Sequence, residues 1–376
     1  MTEVVSQAAG EEQARLTQLA RASVELILRL QDESGAYPAS PSFSAYRGYS
    51  WFRDGAFIAD AMSSAGEIDS AGRFFDWCAG ILTDRSVLVA EIVARAGTAD
   101  PVPDQQMLAT RFTFAGEEGN DDWWDFQLDG YGTWLWAVVE HANRHGLVLD
   151  RWRTAIELSV DYLCSSWPRA CFDWWEEEVG EVHVSTLGCI AAGLAAAAPS
   201  LDDARNAASS AAVSEIQTLI RGEGLAAGHL AKWLGSTAVD ASLLSIIHPL
   251  GVFPADEPIG TATIAAIDKE LNVGGGVHRY RADTFFGGGQ WPLLSCMLGL
   301  TFAAAGERDR ALDQLRWAAH TATLRGELPE QVAEHLLAPE KQQEWIDRWG
   351  PVATPLLWSH AMYIRLAVEL GLEVQS

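Results

Sequence analysis

Lysine occurs only at positions 232, 269 and 341 of the 376 residues, and positive charge is scarce throughout: 26 Lys and Arg stand against 51 Asp and Glu, a formal net charge of −25. Such a field repels phosphate backbones and anionic headgroups, so neither nucleic acid nor a membrane surface is an expected partner. The bias from Lys to Arg reads as compositional habit and is assigned no function. The five cysteines (78, 164, 171, 189 and 296) are an odd number with no CxxC pair, a pattern of reduced, mostly buried thiols. Nine histidines are scattered, and the one i,i+4 pair, His141 and His145, has no third ligand nearby. No compact oxygen-ligand loop for calcium is present either, so no metal is expected. The GGG runs at 274–276 and 287–289 lack the Lys-Ser/Thr or strand context of a nucleotide loop, and no cofactor is expected. The longest Ala-rich apolar run, Leu187 to Pro199, is too short to span a bilayer. Residues 1–22 have no basic segment followed by an apolar stretch, so no signal peptide is read there and a cytoplasmic location is the expectation.

Period-two strands are also nearly missing, while apolar residues recur at helical spacing over long segments. The chain is therefore read as all-α. Helices are expected near 12–31, 54–66, 69–95, 129–146, 149–165, 184–198, 202–222, 240–247, 257–271, 290–306, 308–324 and 356–371, with residues 1–11 as a flexible lead. Two kinds of connection alternate. Short turns such as GEID at 66–69 and GLVLD at 146–150 contrast with long loops rich in Gly, aromatic and charged residues at 32–53, 96–128, 166–183, 223–239, 272–289 and 325–355. In an antiparallel array every second connection lies at one end, so the six long loops gather on one face. Six hairpins closed on themselves make an (α/α)6 barrel, and no linker divides it, so residues 1–376 are expected to form a single catalytic domain.

Tryptophan is what the chain has in excess: 16 residues, from Trp51 to Trp358. Each combines a large apolar face with a donor that needs a partner. Nine of them (51, 123, 124, 134, 136, 174, 175, 291 and 358) fall in or beside the long loops; those at 77, 152, 167, 233, 317, 345 and 349 read as packing residues. The first long loop ends in GYSWFRDGAF, which sets Trp51, Arg53 and Asp54 at a helix start. The second ends in NDDWWDFQLDGYG, where Trp123 and Trp124 sit among carboxylates that include Asp129. An indole face edged by carboxylates offers a sugar ring both a stacking surface and hydroxyl partners. The third carries DWWEEE: Glu176, Glu177 and Glu178 point in different directions, so at least one faces the Trp cluster. There it is desolvated, which disfavours the ionised form and suits a general acid. The fifth supplies Arg279, Asp283 and Trp291, and the sixth opens with Pro329, Glu330 and Gln331. Two acidic centres at one Trp-lined mouth describe the carboxylate pair of glycoside hydrolysis.

YSWFRD, QLDGYG, DWWEEEVGEVHVS, GGVHRYRADTFFGGGQWPL, LPEQ and PLLWSHA, in that order over roughly residues 44–365, resemble the motif series of glycoside hydrolase family 15, the glucoamylase and glucodextranase family. The resemblance implies an (α/α)6 barrel and an inverting, exo-acting hydrolysis that releases β-glucose from non-reducing ends of α-glucosides. It places the general acid on Glu176 and the general base on Glu330, with Trp175 and Glu177 beside the acid and Gln331 beside the base. It also matches Arg53 and Asp54 to the pair that holds the terminal glucose by its outer hydroxyls, Arg279 to the arginine of the G-x-x-R-Y motif and Glu177 to a substrate contact; Trp51, Trp124, Asp129, Trp175, Arg279, Trp291 and Gln331 are the further expected substrate contacts.

Longer family members carry a β-sandwich ahead of the barrel, some also a starch-binding module, and neither is found in this sequence. Short oligosaccharides are therefore the expected partners, with a lean to isomaltose-type α-1,6 linkages and with region 325–355 shaping the +1 subsite. An α-1,4-specific glucoamylase, a trehalase-type member, an inverting disaccharide phosphorylase and a sugar-binding protein without turnover remain the alternatives.

Overall fold

Two patterns of burial sort the helices of the computed structural model, which describes residues 2–119, 121, 123 and 125–374, with side chains from residue 10 onward. Some helices are apolar on all sides. In α7 (Val184–Ala197) every residue from Val184 to Leu194 is buried, and in α11 (Pro292–Ala304) every residue from Pro292 to Phe302. Others carry one apolar stripe: in α3 (Ile68–Asp84), Phe74, Phe75, Cys78, Ile81 and Leu82 face inward while Arg73 and Thr83 face solvent. The first kind needs neighbours all round and the second needs one covered side.

The arrangement follows. An inner ring of α2 (Phe52–Ser64), α5 (Asp129–His145), α7, α9 (Leu243–Ile247), α11 and α14 (Leu357–Glu369) is closed where α14 packs on α2. Around it lie α1 (Thr2–Leu30), α3, α6 (Arg153–Ser166), α8 (Asp203–Glu223), α10 (Pro258–Leu271) and α12 (Arg308–His320). This is the expected (α/α)6 barrel. Among the described residues, three short two-stranded ribbons decorate the long loops: β1 (Tyr49–Trp51) with β2 (Arg111–Thr113), β3 (Leu225–Ala226) with β4 (His229–Leu230), and β5 (Asn272–Val273) with β6 (Gly276–Val277).

Three expectations are corrected. Helix α1 starts at Thr2, so residues 2–11 continue the helix instead of forming an irregular lead. The single helix expected over 69–95 is two, α3 and α4 (Ser86–Arg95), because the backbone leaves the helical region at Arg85 (φ −102°, ψ 15°). The sixth long loop contains a further helix, α13 (Gln342–Trp349). Of the histidine pair on α5, His141 bonds Ser63 Oγ at 2.9 Å and His145 at 3.0 Å, which gives both a packing role.

Helices α5 and α7 touch through glycine. A Cβ on Gly193 would stand 2.3 Å from the carbonyl oxygen of Gly132, and one on Gly132 would stand 2.4 Å from that of Cys189. Gly193→Ala therefore lowers the melting temperature in a thermal scan: overpacking of roughly 1–3 kcal/mol outweighs the gain in helix propensity of about 1 kcal/mol. A raised melting temperature would mean the two helices can separate freely.

Candidate active site

One cavity opens at the long-loop end, and its lining gathers residues far apart in sequence: Trp51, Arg53, Asp54, Trp175, Glu176, Glu177, Arg279, Trp291 and Glu330 all face it. Five of the six long connections contribute lining residues.

Glu176 sits at the tip of a tight turn. The Asp173 carboxylate oxygen Oδ1 accepts the backbone N–H groups of Trp175 and Glu177, each at 2.9 Å, and the Glu176 N–H donates to the Asp173 carbonyl at 3.0 Å. The turn forces Glu176 into the left-handed region, φ 64°, an uncommon conformation for a residue with a side chain and one often found at functional positions. Its Oε1 accepts from Trp51 Nε1 at 2.7 Å and from Gln127 Nε2 at 3.2 Å.

Glu330 is held differently. Its loop is clamped to the start of α14: Ser359 Oγ donates to the Pro329 carbonyl at 2.8 Å, and the Leu328 N–H donates to His360 Nε2 at 2.9 Å. Full burial pushes His360 down to about 3, so the ring is neutral; with Nε2 accepting, its proton is on Nδ1, 2.8 Å from Ser23 Oγ. Glu330 is 2% exposed. Oε1 accepts the Tyr46 hydroxyl at 2.8 Å, and Oε2 has no hydrogen-bond partner among the described residues. Burial pushes its pKa up to about 8; the Tyr46 hydrogen bond and the Arg279 charge pull downward, and the Asp54 charge adds to the rise.

The floor is polar and buried. Arg53 donates to Gln127 Oε1 at 2.7 Å and to Asp129 Oδ2 at 2.9 Å, and its guanidinium lies 5.9 and 5.8 Å from the ring centres of Trp174 and Trp358. Asp54 Oδ2 is 3.5 Å from Arg53 Nε without a hydrogen bond; burial pushes its carboxyl up to about 7. Arg279 bonds Asp283 and, at 3.2 Å, Glu177 Oε1, with its guanidinium 5.1 Å from the Trp175 ring. This set offers charged donors and acceptors to sugar hydroxyls beneath aromatic walls.

Two expected contacts lie outside the lining. Asp129 is wholly buried beneath Arg53, and Gln331 spends both ends of its amide on the backbone, accepting from Gly289 N–H at 2.8 Å and donating to the Phe285 carbonyl at 3.2 Å. Trp124 lies outside the described residues. Trp134 and Trp136, grouped above with the mouth, are carried down α5 away from it, and Trp136 lines another cavity. Conversely, Trp345 and Trp349, read as packing residues, line the site, as do Tyr46 and Phe285. The i,i+4 spacing of the two tryptophans in QQEWIDRW was the signal of a helix presenting one aromatic face.

A barrel of this kind with two carboxyls in a tryptophan-lined cavity is the architecture of a glycosidase. The chain matches the model of glycosyl hydrolases family 15 over residues 13–368 and belongs to that family. It is 54% identical over 367 residues, 96% of this chain and 95% of the relative, to an isomaltose glucohydrolase of Kribbella flavida. A variant glycosidase solved in complex with glucose superposes with a TM-score of 0.94 at 53% identity, covering 96% of this chain and 98% of that one. A bacterial glucoamylase solved with acarbose shares the fold, with a TM-score of 0.75 at 21% identity over 95% of this chain and 56% of its own. The chain is thus a glycoside hydrolase.

The carboxyl of Glu330 yields two expectations. A proton is bound more tightly in the folded than in the unfolded state, so this group's contribution to stability is complete below about pH 4 and is lost as pH rises through about 8. Glu330→Gln removes that loss, and its melting temperature overtakes the wild type's increasingly between pH 5 and 9; parallel curves would refute the buried charge. Tyr46→Phe removes a hydrogen bond that favours the ionised form, so any acid limb of kcat/KM due to Glu330 moves to higher pH in a pH–rate profile.

Proposed function

We propose that the protein is an inverting, exo-acting α-glucoside hydrolase that releases β-glucose from the non-reducing end of short α-1,6-linked gluco-oligosaccharides of the isomaltose type. The observation that carries this reading is the pair of differently held carboxyls that line one cavity. Glu176 is reached by donors from Trp51 and Gln127 and stands on the third long loop; Glu330 is reached by Tyr46 and stands on the sixth. Arg53, buried between Trp174 and Trp358, is read as the residue that meets the chain end and makes the action exo.

In the reaction, Glu176 as general acid gives its proton to the glycosidic oxygen as the C1–O bond breaks. Glu330 acts as base in its ionised form, a fraction that grows as pH rises toward 8; it takes a proton from a water that attacks C1 from the opposite face, and the configuration inverts. The free Oε2 of Glu330 is the atom available to that water, since Oε1 is engaged by Tyr46. Arg53, Asp54, Arg279 and Glu177 hold the outer hydroxyls of the terminal glucose, and the tryptophans stack on its C–H faces. The α-1,6 preference is supported by the isomaltose glucohydrolase relative; Trp345 and Trp349 on α13, which line the cavity, are read as the surface for the leaving sugar. We read the whole chain as one catalytic unit, and its five unpaired thiols suit a reducing, cytoplasmic setting.

Proton NMR of the first product is expected to show β-glucose, and initial α-glucose would sink the inverting assignment. Glu176→Gln and Glu330→Gln are each expected to lower kcat on isomaltose by about 10²–10⁴ while the fold survives. An initial-rate panel over isomaltose, panose, maltose, trehalose, dextran and starch is expected to favour isomaltose. A preference for maltose or trehalose would transfer the reading to the α-1,4 or trehalase-type alternative.

A further inference from the structure

The fourth long connection, 223–239, is the one that lends no side chain to the cavity wall, yet it sends one of the three lysines of the chain toward it from behind. The Lys232 side chain is 4% exposed. Its Nζ lies 3.0 Å from Asp240 Oδ2, 3.4 Å from Asp173 Oδ2 and 3.3 Å from the centre of the Tyr280 ring. The two carboxylates are as buried as the lysine, at 1% and 3%. One cation thus serves two anions in a place where unpaired charge is costly.

Both anions are tied to the turn that carries Glu176. Asp173 accepts the Trp175 and Glu177 N–H groups through Oδ1, which leaves Oδ2 facing Lys232. Asp240 accepts the Trp175 indole N–H at 3.0 Å and the Ser242 N–H at 2.8 Å. The Tyr280 ring beneath the ammonium sends its hydroxyl to Glu177 Oε2. Residues on both sides of Glu176 are therefore fixed by groups that meet at Lys232, and Glu176 between them holds a left-handed backbone that needs such support.

We propose that Lys232 is a positioning residue for the general acid: its ammonium, shared by Asp173 and Asp240 over the Tyr280 ring, offsets the charge of the two buried carboxylates that pin the 173–177 turn and so aims Glu176 at the glycosidic oxygen. This rests on the reading of Glu176 as the acid. Without the cation, Asp173 and Asp240 repel each other or take up a proton, and either change loosens the hydrogen bonds to Trp175 and Glu177. Lys232 touches no substrate, and its effect belongs to the step in which the leaving oxygen is protonated.

The test compares two substrates. Isomaltose needs its leaving oxygen protonated, whereas α-glucosyl fluoride expels fluoride with little help from an acid. Lys232→Met is expected to lower kcat on isomaltose about 10- to 100-fold, within the range of general-acid catalysis, and to leave kcat on the fluoride within about threefold, with the isomaltose KM little changed. Equal losses on both substrates, or no loss on isomaltose, would overturn the proposal. Lys232→Gln, which keeps a donor in place of the ammonium, carries the same comparison if the Met variant does not fold. Glu176→Gln is run beside them: if it does not itself spare the fluoride, the acid assignment fails, independently of Lys232.

Discussion

A buried guanidinium sets the geometry on which the site depends. Arg53 stands near the start of an inner helix, 3% exposed, and a charge in that position must be met by partners. They come from around the ring: Asp129 from the start of α5, Gln127 from the loop before it, and the rings of Trp174 and Trp358 from the third loop and α14. Gln127 bonds Arg53 through its oxygen and Glu176 through its nitrogen, so the buried cation and the cavity carboxyl are joined by one side chain. Elements that a helical barrel would otherwise leave independent at their loop ends are thereby brought into register.

Segment 46–51 performs a related service for the two carboxyls. Tyr46 reaches Glu330 and Trp51 reaches Glu176, and the two rings meet edge to face at 5.4 Å. The relative placement of two residues 154 positions apart is governed by one short stretch that packs on itself. The site also holds features that oppose stability: Glu330 and Asp54 are carboxyls buried beyond the reach of full solvation, and Glu176 has a backbone conformation that side chains disfavour. A large surrounding core and the aromatic contacts around the cavity, such as the Trp175–Trp291 and Trp345–Trp349 pairs, sustain them.

The barrel was legible because helix periodicity and loop length are local properties. The all-round burial of α7 and α11 and the striped burial of α3 follow from residue spacing, and the alternation of short and long connections put the chemistry at one end. The motif loops likewise identified nine residues that meet in one cavity. Other parts depended on packing. Gln331 sits next to Glu330 in sequence, but the path of the fifth loop turns its amide to the backbone of Gly289 and Phe285. Trp345 and Trp349 looked like packing residues because nothing in QQEWIDRW reveals that α13 folds back over the mouth.

Lys232 marks the boundary most sharply. Its rarity was visible in the sequence and conveyed nothing, since scarcity of a residue type says little about where one copy will lie. What the sequence determined by itself was the ring, the end at which its loops converge, and the residue types gathered there, because periodicity and loop chemistry are written within a few turns of chain. What only the tertiary structure decided was which charges meet. The pairing of Lys232 with Asp173, of Arg53 with Asp129, and of Tyr46 with Glu330 joins residues 59 to 284 positions apart, and burial makes each pairing obligatory without fixing it in any local pattern.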